Sequence, residues 1–378
     1  MTLQGKGFFT LHLSNCEGGN PAAILSKAHA AGLSHILIRI ADGTTAWSEP
    51  STETDADAVI VQALHLAGID VWGWHTPSGK DPDAEAALVT SQVQALHLDG
   101  LVVDAGEEFQ RPGMDTVARR FMSTLRASLK MPIGLSSFRF PQFHPHFPWS
   151  TFLEFSDLHL PKVYWEQDHN AGEQLRESKR QCDALPNARP CIPTGGIYRA
   201  PGWAPSTTEI ADFLQTAKAL NLPGVNFFSW DSCSNTLPYL WNTIAGFSWP
   251  QASMHDSLPV ADTLPAPETH SDASQDAFTL AYMGALNSRQ AGQMIHFYDP
   301  QAIQVWADQI LRGLAEIQTV FSTFFSKLPA GLNFTLSQAR NENDQYLLTW
   351  QVGTLSGEST LVIKGGKIAL EYTILLGQ

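Results

Sequence analysis

Residues 69–104, IDVWGWHTPSGKDPDAEAALVTSQVQALHLDGLVVD, contain the unit that decides the fold. An apolar run at residues 69–74 predicts a buried strand, and a second run at residues 101–104 predicts another. Between them, residues 83–95 are good helix formers at helical spacing. Two buried strands joined through a helix are typical of a parallel sheet covered by helices.

The same alternation continues on both sides of this unit. Six more apolar runs predict strands at residues 7–13, 35–40, 132–136, 158–164, 191–194 and 225–230. Further helical patterns lie between them, at residues 21–31, 54–67, 114–130 and 206–219. Eight such units in about 240 residues match a closed TIM-type (β/α)₈ barrel, an α/β fold, better than an open sheet. An open doubly wound sheet is the alternative, although no Gly-x-Gly-x-x-Gly follows the first strand to support a dinucleotide site.

A change in composition predicts a second domain. Pro, Ser, Ala, Thr and His dominate residues 249–272, which is typical of a linker. We therefore predict a barrel over residues 1–250, a Pro-rich linker over 251–272 and a smaller α+β domain over 273–378. In that domain we predict a helix around 273–286, a long amphipathic helix around 303–325, and strands at 332–337, 345–352, 359–363 and 367–374.

Composition and charge narrow the classes of partner. The chain has 378 residues, of which 43% are hydrophobic, and a formal net charge of −14. The length favours two domains, and the acidic balance argues against nucleic acid or an anionic membrane surface and favours a neutral substrate. Neither a charged leader followed by an apolar run nor an apolar stretch of ~18 residues is present, so we expect no signal peptide, no membrane span and, by default, a cytoplasmic protein.

The four cysteines lack the paired spacing of a zinc site. We therefore expect no metal and no cofactor, and four reduced thiols. A pair of disulfides is the alternative. Barrel closure sets the first strand beside the eighth and would bring Cys16 near Cys233, while Cys182 and Cys191 flank one short loop. Both bridges together would favour export without a leader.

Candidate catalytic residues follow the predicted fourth strand. Active sites of such barrels lie at the carboxyl ends of the strands. Residues 102–108, VVDAGEE, place Asp104 at a strand end and Glu107 shortly after it. Cleavage of a glycosidic bond needs one carboxyl group as acid and another as base or nucleophile, which this pair would supply. In the alternative interpretation Glu107 and Glu108 only begin the next helix, where its dipole favours acids.

Aromatic and polar residues at the other strand ends are candidates for substrate binding. Trp and Tyr rings stack on the apolar faces of sugars, although in barrels they also fill the interior. The aromatic candidates are Trp74, Tyr164, Trp165 and Trp230, and the polar ones are His12, Asp42, Glu166 and Asp231, the last also as a catalytic acid.

Two cations lie within apolar strands. Arg39 and Lys162 would be costly there without a carboxylate partner, and Asp104 is the natural one if both side chains point into the barrel. Such pairing would hold Asp104 ionised and leave Glu107 as the proton donor. Both cations are therefore included among the substrate-binding candidates.

The barrel segment resembles barrel glycoside hydrolases of the chitinase and lysozyme type. The resemblance is carried by residues 163–165 (VYW), 195–198 (GGIY) and 224–231 (GVNFFSWD). It implies acids after the fourth strand, a Tyr on the sixth and a Trp on the eighth. The chitinase pattern Asp-x-x-Asp-x-Asp-x-Glu is absent, Asp104-x-x-Glu107 replaces the lysozyme-like Asp-x-Glu, and no acid ends the seventh strand.

The second domain resembles the nuclear-transport-factor-2-like (SnoaL-like) cone fold. Helices followed by a four-strand antiparallel meander carry this resemblance, together with residues 296–300 (HFYDP) ahead of Val305 and Trp306. That family includes enzymes, dimerisation modules and ligand-binding pockets, so the resemblance assigns no activity.

Three functional hypotheses follow. In the first, the barrel is a hydrolase acting on a polysaccharide or peptidoglycan, with Glu107 as proton donor. In the second, an inactive barrel binds a glycan or has a structural role, and the second domain makes the protein contacts, as a homodimer or in a larger assembly. In the third, the second domain holds the only ligand pocket, lined by Phe278, Tyr282, Trp306 and Trp350.

Overall fold

The computed structural model describes residues 3–47, 54–249, 271–272, 276–306, 309–342 and 345–376. The chain separates into two compact units, residues 1–19 with 28–252 and residues 20–27 with 253–378. The predicted linker lies outside the described residues except for Ser271–Asp272, so the predicted domain boundaries stay predictions. Each unit is described by itself.

The first unit is built on a closed barrel of eight parallel strands. They are β1 Gly5–Thr10, β2 Leu33–Asp42, β3 Asp70–Thr76, β4 Gly100–Asp104, β5 Ile133–Phe138, β6 Leu158–Val163, β7 Thr194–Gly196 and β8 Gly224–Phe228. Each strand pairs with the next in parallel register, and β1 also pairs with β8, which closes the ring. The TIM-type barrel is thus confirmed over the open sheet.

Helices connect the successive strands of the barrel. They are α1 Pro21–Ala30, α2 Thr54–Leu66, α3 Pro82–Ala95, α4 Met114–Ser128, α5 Trp149–Phe155, α6 Ala171–Asp183 and α7 Thr207–Ala219. Two shorter helices, α8 Trp230–Asn235 and α9 Trp241–Ala245, follow β8. Local caps fix where some of them begin: Ser206 and Glu209 form a capping box at α7, and the side chain of Asp81 accepts from the backbone N–H of Ala84 at α3.

The eighth predicted strand is shorter than its apolar run suggested. Its last residue is Phe228, because the side chain of Ser229 accepts from the N–H of Ser232 and caps a helix that starts at Trp230. Trp230 and Asp231 therefore lie in the first turn of α8 and not on the strand.

Apolar side chains fill the lower layers of the barrel. Strand residues alternate between the two faces, so those that share the interior recur at every second position. The interior cluster consists of Leu3, Phe9, Leu37, Trp72, Trp74, Val102, Leu158, Leu160 and Ile192. Two residues beyond Leu37, Val102 and Leu160 come Arg39, Asp104 and Lys162. The alternation thus directs these three charged side chains inward, one layer closer to the carboxyl ends of the strands.

Lys6 links β1 to the end of α9. Its ammonium donates to the carbonyl oxygens of Ile244 and Phe247, at 2.8 and 2.7 Å. Burial lowers the pKa of Lys6 to about 8. Cations near a helix C-terminus satisfy its last carbonyl groups, so Lys6 stabilises the closing end of the unit.

The alternative prediction of two disulfides is wrong for the described cysteines. No disulfide joins the four described cysteines, whose side chains are all buried. Burial raises the pKa of Cys182 to about 12 and raises that of Cys191 well above its ordinary value. Buried thiols of high pKa are poor nucleophiles, in keeping with a packing role.

The second unit is an α+β domain with a mixed sheet. Its helices are α10 Ala277–Ser288, α11 Ala291–Met294 and α12 Gly313–Lys327. Its longer strands are β9 Tyr298–Trp306, β10 Gln309–Arg312, β11 Thr335–Glu342, β12 Gln345–Val352, β13 Leu355–Lys364 and β14 Lys367–Leu376, and the two-residue strand Ser271–Asp272 pairs with β11. The predicted four-strand meander is present as β11 to β14, and β9 extends it by pairing in parallel with β14.

The predicted long helix at 303–325 is wrong in its first half. Residues 303–306 continue β9 and residues 309–312 form β10, and the helix begins only at Gly313, whose φ is 71°. The run AIQV at 302–305 is short and mostly apolar, and periodicity alone cannot separate a buried strand from a buried helix over such a length. In the described part of the chain, no helix is long and apolar enough to cross a membrane.

Candidate functional site

An ion pair between two neighbouring inward positions lies at the carboxyl end of the barrel. Lys162 Nζ, on β6, is 2.6 Å from Asp104 Oδ1, at the end of β4. The side chains of Lys162 and Asp104 are 29% and 18% exposed. Between them, β5 contributes the small buried Ser136, which is in register with Asp104. The partner predicted for Lys162 is thus confirmed.

Arg39 lies near the same carboxylate but pairs elsewhere. Its Nη2 donates to Asp42 Oδ2 at 2.7 Å, and its guanidinium lies 3.7 Å from the ring centre of Trp47 and 4.9 Å from that of Trp74. Burial lowers the pKa of Arg39, while the charges of Asp42 and Asp104 oppose that change. Asp104 as the direct partner of Arg39 is therefore wrong. The local alternative, Asp42 three residues along, is better placed because β2 extends to include it.

Tyr164 directly follows β6 and completes this group. Its ring packs edge-on against Tyr198, with 5.4 Å between ring centres. Burial raises the pKa of Tyr164 well above its ordinary value, and the charge of Asp104 adds to this effect. Its hydroxyl is therefore a proton-bearing donor at neutral pH, and no described residue hydrogen-bonds to it. We call Arg39, Asp104, Lys162 and Tyr164 the mouth cluster.

Glu107 lies outside the mouth cluster. It opens a 3₁₀ turn at Glu107–Gln110 and is exposed, as is Glu108. The Glu107 carboxylate accepts a hydrogen bond from Gln110 Nε2, and Gln110 in turn contacts His144 Nδ1 at 3.1 Å. Among the described residues, no hydrogen bond or ion pair joins Glu107 to Asp104. The two acids that follow β4 thus lie at a helical start, as the alternative interpretation has it.

Asp231 binds backbone groups. Its Oδ2 and Oδ1 accept from the N–H groups of Leu11 and His12, both at 2.8 Å. The side chain is buried. Both oxygens therefore hold the segment after β1 against α8. The His12 ring lies next to Trp47, with 5.1 Å between centres, so it forms part of the wall around Arg39.

Three of the four aromatic candidates are packed in the interior. Trp230 is fully buried beside Phe8 and Trp241, and its Nε1 donates to Glu17. Trp165 is fully buried against Phe213.

Trp74 lies inside the barrel, and its Nε1 donates to the carbonyl of Thr10 at 3.0 Å. Glu166 is exposed and accepts from the Tyr198 hydroxyl at 2.7 Å. Of the aromatic candidates, only Tyr164 combines partial exposure with proximity to Asp104.

Sequence reasoning missed Trp47 and the polar interior of the second unit. Trp47 stacks on Arg39, and its Nε1 donates to the Leu11 carbonyl at 2.9 Å. The signal was its position three residues after the tight turn at Gly43-Thr44.

In the second unit, Glu371 is 1% exposed on β14. It accepts from Tyr298, from Tyr282 at 3.2 Å, from Gln304 at 2.9 Å and from Thr373 at 3.0 Å. Here the signal was an acid inside an apolar strand.

A small cavity adjoins Glu371. Its water-accessible volume is about 10 Å³, roughly that of one water molecule, and Tyr282, Trp306 and Trp350 line it as predicted. Phe278 is not among the lining residues; it packs on Tyr346 instead. Burial raises the pKa of Glu371.

Within the described residues, no group of three or more His, Cys, Asp or Glu side chains is arranged to hold a metal ion.

Comparison with known proteins gives similarities of fold. No family model and no curated protein matches the chain. The structure of an endo-1,4-β-D-mannanase from Thermotoga petrophila is similar with a TM-score of 0.47 and 10% identity, over 60% of this chain and 88% of the mannanase.

The C-terminal part is similar to NTF2-like proteins. One from Burkholderia xenovorans has a TM-score of 0.24 and 18% identity, over 26% of this chain and 80% of that protein. Another, from Cytophaga hutchinsonii, has a TM-score of 0.24 and 9% identity, over 29% and 95%.

Proposed function

We propose that the barrel binds a glycan at the carboxyl end of its strands, through the mouth cluster. The observation that supports this most is the Asp104–Lys162 ion pair, which occupies an inward layer that barrels commonly fill with apolar side chains. Charges placed there lose hydration and gain little stability in return. A binding role explains why charged side chains lie in this layer, because sugar hydroxyls are recognised by a few convergent polar groups.

Binding without hydrolysis is the form that the geometry favours. Hydrolysis by two carboxyl groups requires both to flank the bond, roughly 5–10 Å apart. Asp104 is held by Lys162, Asp231 is engaged with two backbone N–H groups, and Glu107 is exposed and bonded to Gln110. Each carboxylate thus has a partner other than a second acid across a shared pocket.

Hydrolysis remains the second candidate. Glu107 lies three residues after Asp104 at the same strand end. A ligand in the barrel could therefore meet both acids after a local movement of the 3₁₀ turn. In this form Glu107 is the proton donor and Asp104 stabilises the developing positive charge.

A combined binding and hydrolysis screen tests both forms. The full chain is applied to a glycan array and incubated with purified cell walls, beside Asp104→Asn and Glu107→Gln, with Glu108→Gln as the matched control for an exposed acid. We expect binding by the wild type, weaker binding by Asp104→Asn, unchanged binding by both Glu variants and no new reducing ends. If the wild type released reducing ends and, among the variants, Glu107→Gln alone did not, hydrolysis would be established. Absence of binding and of turnover would contradict the proposal.

A further inference from the structure

The mouth cluster holds more hydrogen-bond donors than it uses. Lys162 has three N–H donors, and within the described residues its ammonium contacts only Asp104. Arg39 has five donors, of which one bonds to Asp42, and its buried Nε has no partner in the described part of the chain. The Tyr164 hydroxyl adds a further donor that makes no hydrogen bond to a described residue.

The charges of the mouth cluster have the opposite sign to the chain as a whole. Arg39 and Lys162 contribute two positive charges and Asp104 one negative charge, so the cluster carries a net charge of +1, whereas the whole chain carries −14. Asp42 does not offset this fully, since its side chain is 50% exposed while that of Arg39 is 13% exposed. A more hydrated carboxylate is screened more strongly by solvent.

The orientation of Arg39 is fixed before any ligand arrives. Its guanidinium is stacked on Trp47 at 3.7 Å and approaches Trp74 at 4.9 Å, while Asp42 holds one end of the fork. A planar guanidinium held in this way matches the geometry of a carboxylate, with which it can form two parallel hydrogen bonds. Lys162 supplies a second positive charge on the other side of Asp104.

We propose that the glycan bound by the mouth cluster carries a carboxylate on its sugar, and that Arg39 and Lys162 select it. The proposal rests on the proposed function. Asp104 orients Lys162, and Tyr164 donates to an oxygen of the same sugar. The net charge of the chain favours a neutral substrate, whereas the mouth cluster favours an acidic one. The charges next to the ligand determine which charge the ligand carries.

Calorimetric titration of the full chain with matched pairs of oligosaccharides tests this. One pair is oligogalacturonate and its methyl ester; the other is a glycan chain containing N-acetylmuramic acid and the chitin oligosaccharide of equal length. Because a charge-assisted pair typically contributes enough to change affinity about tenfold, we expect at least one acidic member to bind about tenfold more tightly than its neutral partner. We also expect its affinity to fall with added salt while that of the neutral partner stays level.

Variants identify the cations that carry the preference. In Lys162→Gln and Arg39→Gln the acidic ligand should lose about tenfold in affinity and the neutral one less than about twofold, whereas Lys162→Arg should retain the preference. Lys179→Gln is the control, because Lys179 pairs with Asp183 on α6 and lies outside the mouth cluster. If circular dichroism shows that a variant is unfolded, the salt dependence of wild-type binding tests the acidic preference in its place.

Two outcomes separate this inference from the proposed function. A neutral member that binds as tightly as its acidic partner would overturn the acidic preference and leave glycan binding standing. If the wild type binds none of the four probes and no glycan on the array, both the acidic preference and the proposed function are overturned.

Discussion

Asp104 in the barrel and Glu371 in the second unit are both strand-borne carboxylates, and their surroundings differ in two respects. Asp104 meets the ammonium of Lys162 and keeps 18% of its side chain exposed. Glu371 is 1% exposed, and the donors that it meets among the described residues are uncharged, on Tyr282, Tyr298 and other neutral side chains. The charge of the partner and the access of solvent therefore distinguish a group that can receive a ligand from one that holds a domain together.

The pKa of Glu371 reflects its burial. Burial raises the pKa of Glu371, since its neutral partners only partly replace the water that a carboxylate loses. The cavity beside it has a water-accessible volume of about 10 Å³, too small for a sugar. The second unit thus holds a buried polar network around Glu371, and the groups that we propose to bind a glycan lie in the barrel.

The largest effect is expected from Glu371→Leu. The change leaves the donors of Tyr282, Tyr298 and Gln304 without their shared acceptor, so the second unit should lose about 3–5 kcal/mol of stability. Hydrogen-exchange mass spectrometry of the intact chain measures this in peptides from β9 and β14. Glu358→Leu, on the exposed face of β13, is the control and should change protection little. Equal protection in the two variants would contradict a structural role for Glu371.

The pH dependence of stability should be next in size. Because the pKa of Glu371 is raised in the folded state, the folded protein binds this proton more tightly than the unfolded chain does. The stabilisation is complete below the ordinary pKa of 4.5 and is lost as the pH rises through the raised pKa of the folded state. Between these two pKa values the free energy of unfolding falls by about 1.4 kcal/mol for each pH unit.

Urea midpoints of the second unit, measured from pH 4 to 8, should therefore fall more steeply in the wild type than in Glu371→Gln. Parallel curves would show that this carboxyl does not carry the pH dependence.

Asp104→Asn should have a small effect on folding and a clear effect on binding. The Asp104–Lys162 pair is partly exposed, so its loss should change the free energy of unfolding by less than about 1 kcal/mol. Affinity for the glycan should fall about tenfold, because Lys162 loses the group that orients it. Urea unfolding and calorimetry on the same preparation check both values. If Asp104→Asn lost much stability and kept its affinity for the glycan, Asp104 would have the structural role that we assign to Glu371.

The smallest effect is expected from Tyr164→Phe. The substitution removes one donor and keeps the ring that packs on Tyr198. We expect an affinity loss of about three- to tenfold with no measurable change in the urea midpoint. Tyr239→Phe is a control outside the mouth cluster, since the Tyr239 hydroxyl donates to the Pro205 carbonyl. Equal affinity in Tyr164→Phe and the wild type would remove Tyr164 from the binding site.

The barrel could be predicted because strand and helix periods alternate along the sequence, and Lys162 could be paired with Asp104 because a charge in an apolar strand needs a partner. The same alternation separates two adjacent aromatics, since Tyr164 continues the inward series of Leu160 and Lys162 and Trp165 does not. The burial of Trp230 could not be predicted in this way, because it depends on the Ser229 cap that ends β8.

Two misses had different physical causes. The sequence predicts a helix where residues 303–306 form a strand, since so short a run fits either period. The role of Glu371 is not evident from the sequence, because the donors that satisfy it come from two other elements, α10 and β9, as well as from its own strand. The local sequence shows only an acid inside an apolar strand and does not reveal these partners from distant segments.

The most direct test is a crystal structure of the full chain with a glycan selected on the array. We predict that a sugar oxygen lies about 3 Å from Lys162 Nζ, with Arg39 and Tyr164 contacting the same sugar. A glycan bound beside Glu371, or one bound elsewhere with the mouth cluster unoccupied, would contradict the account.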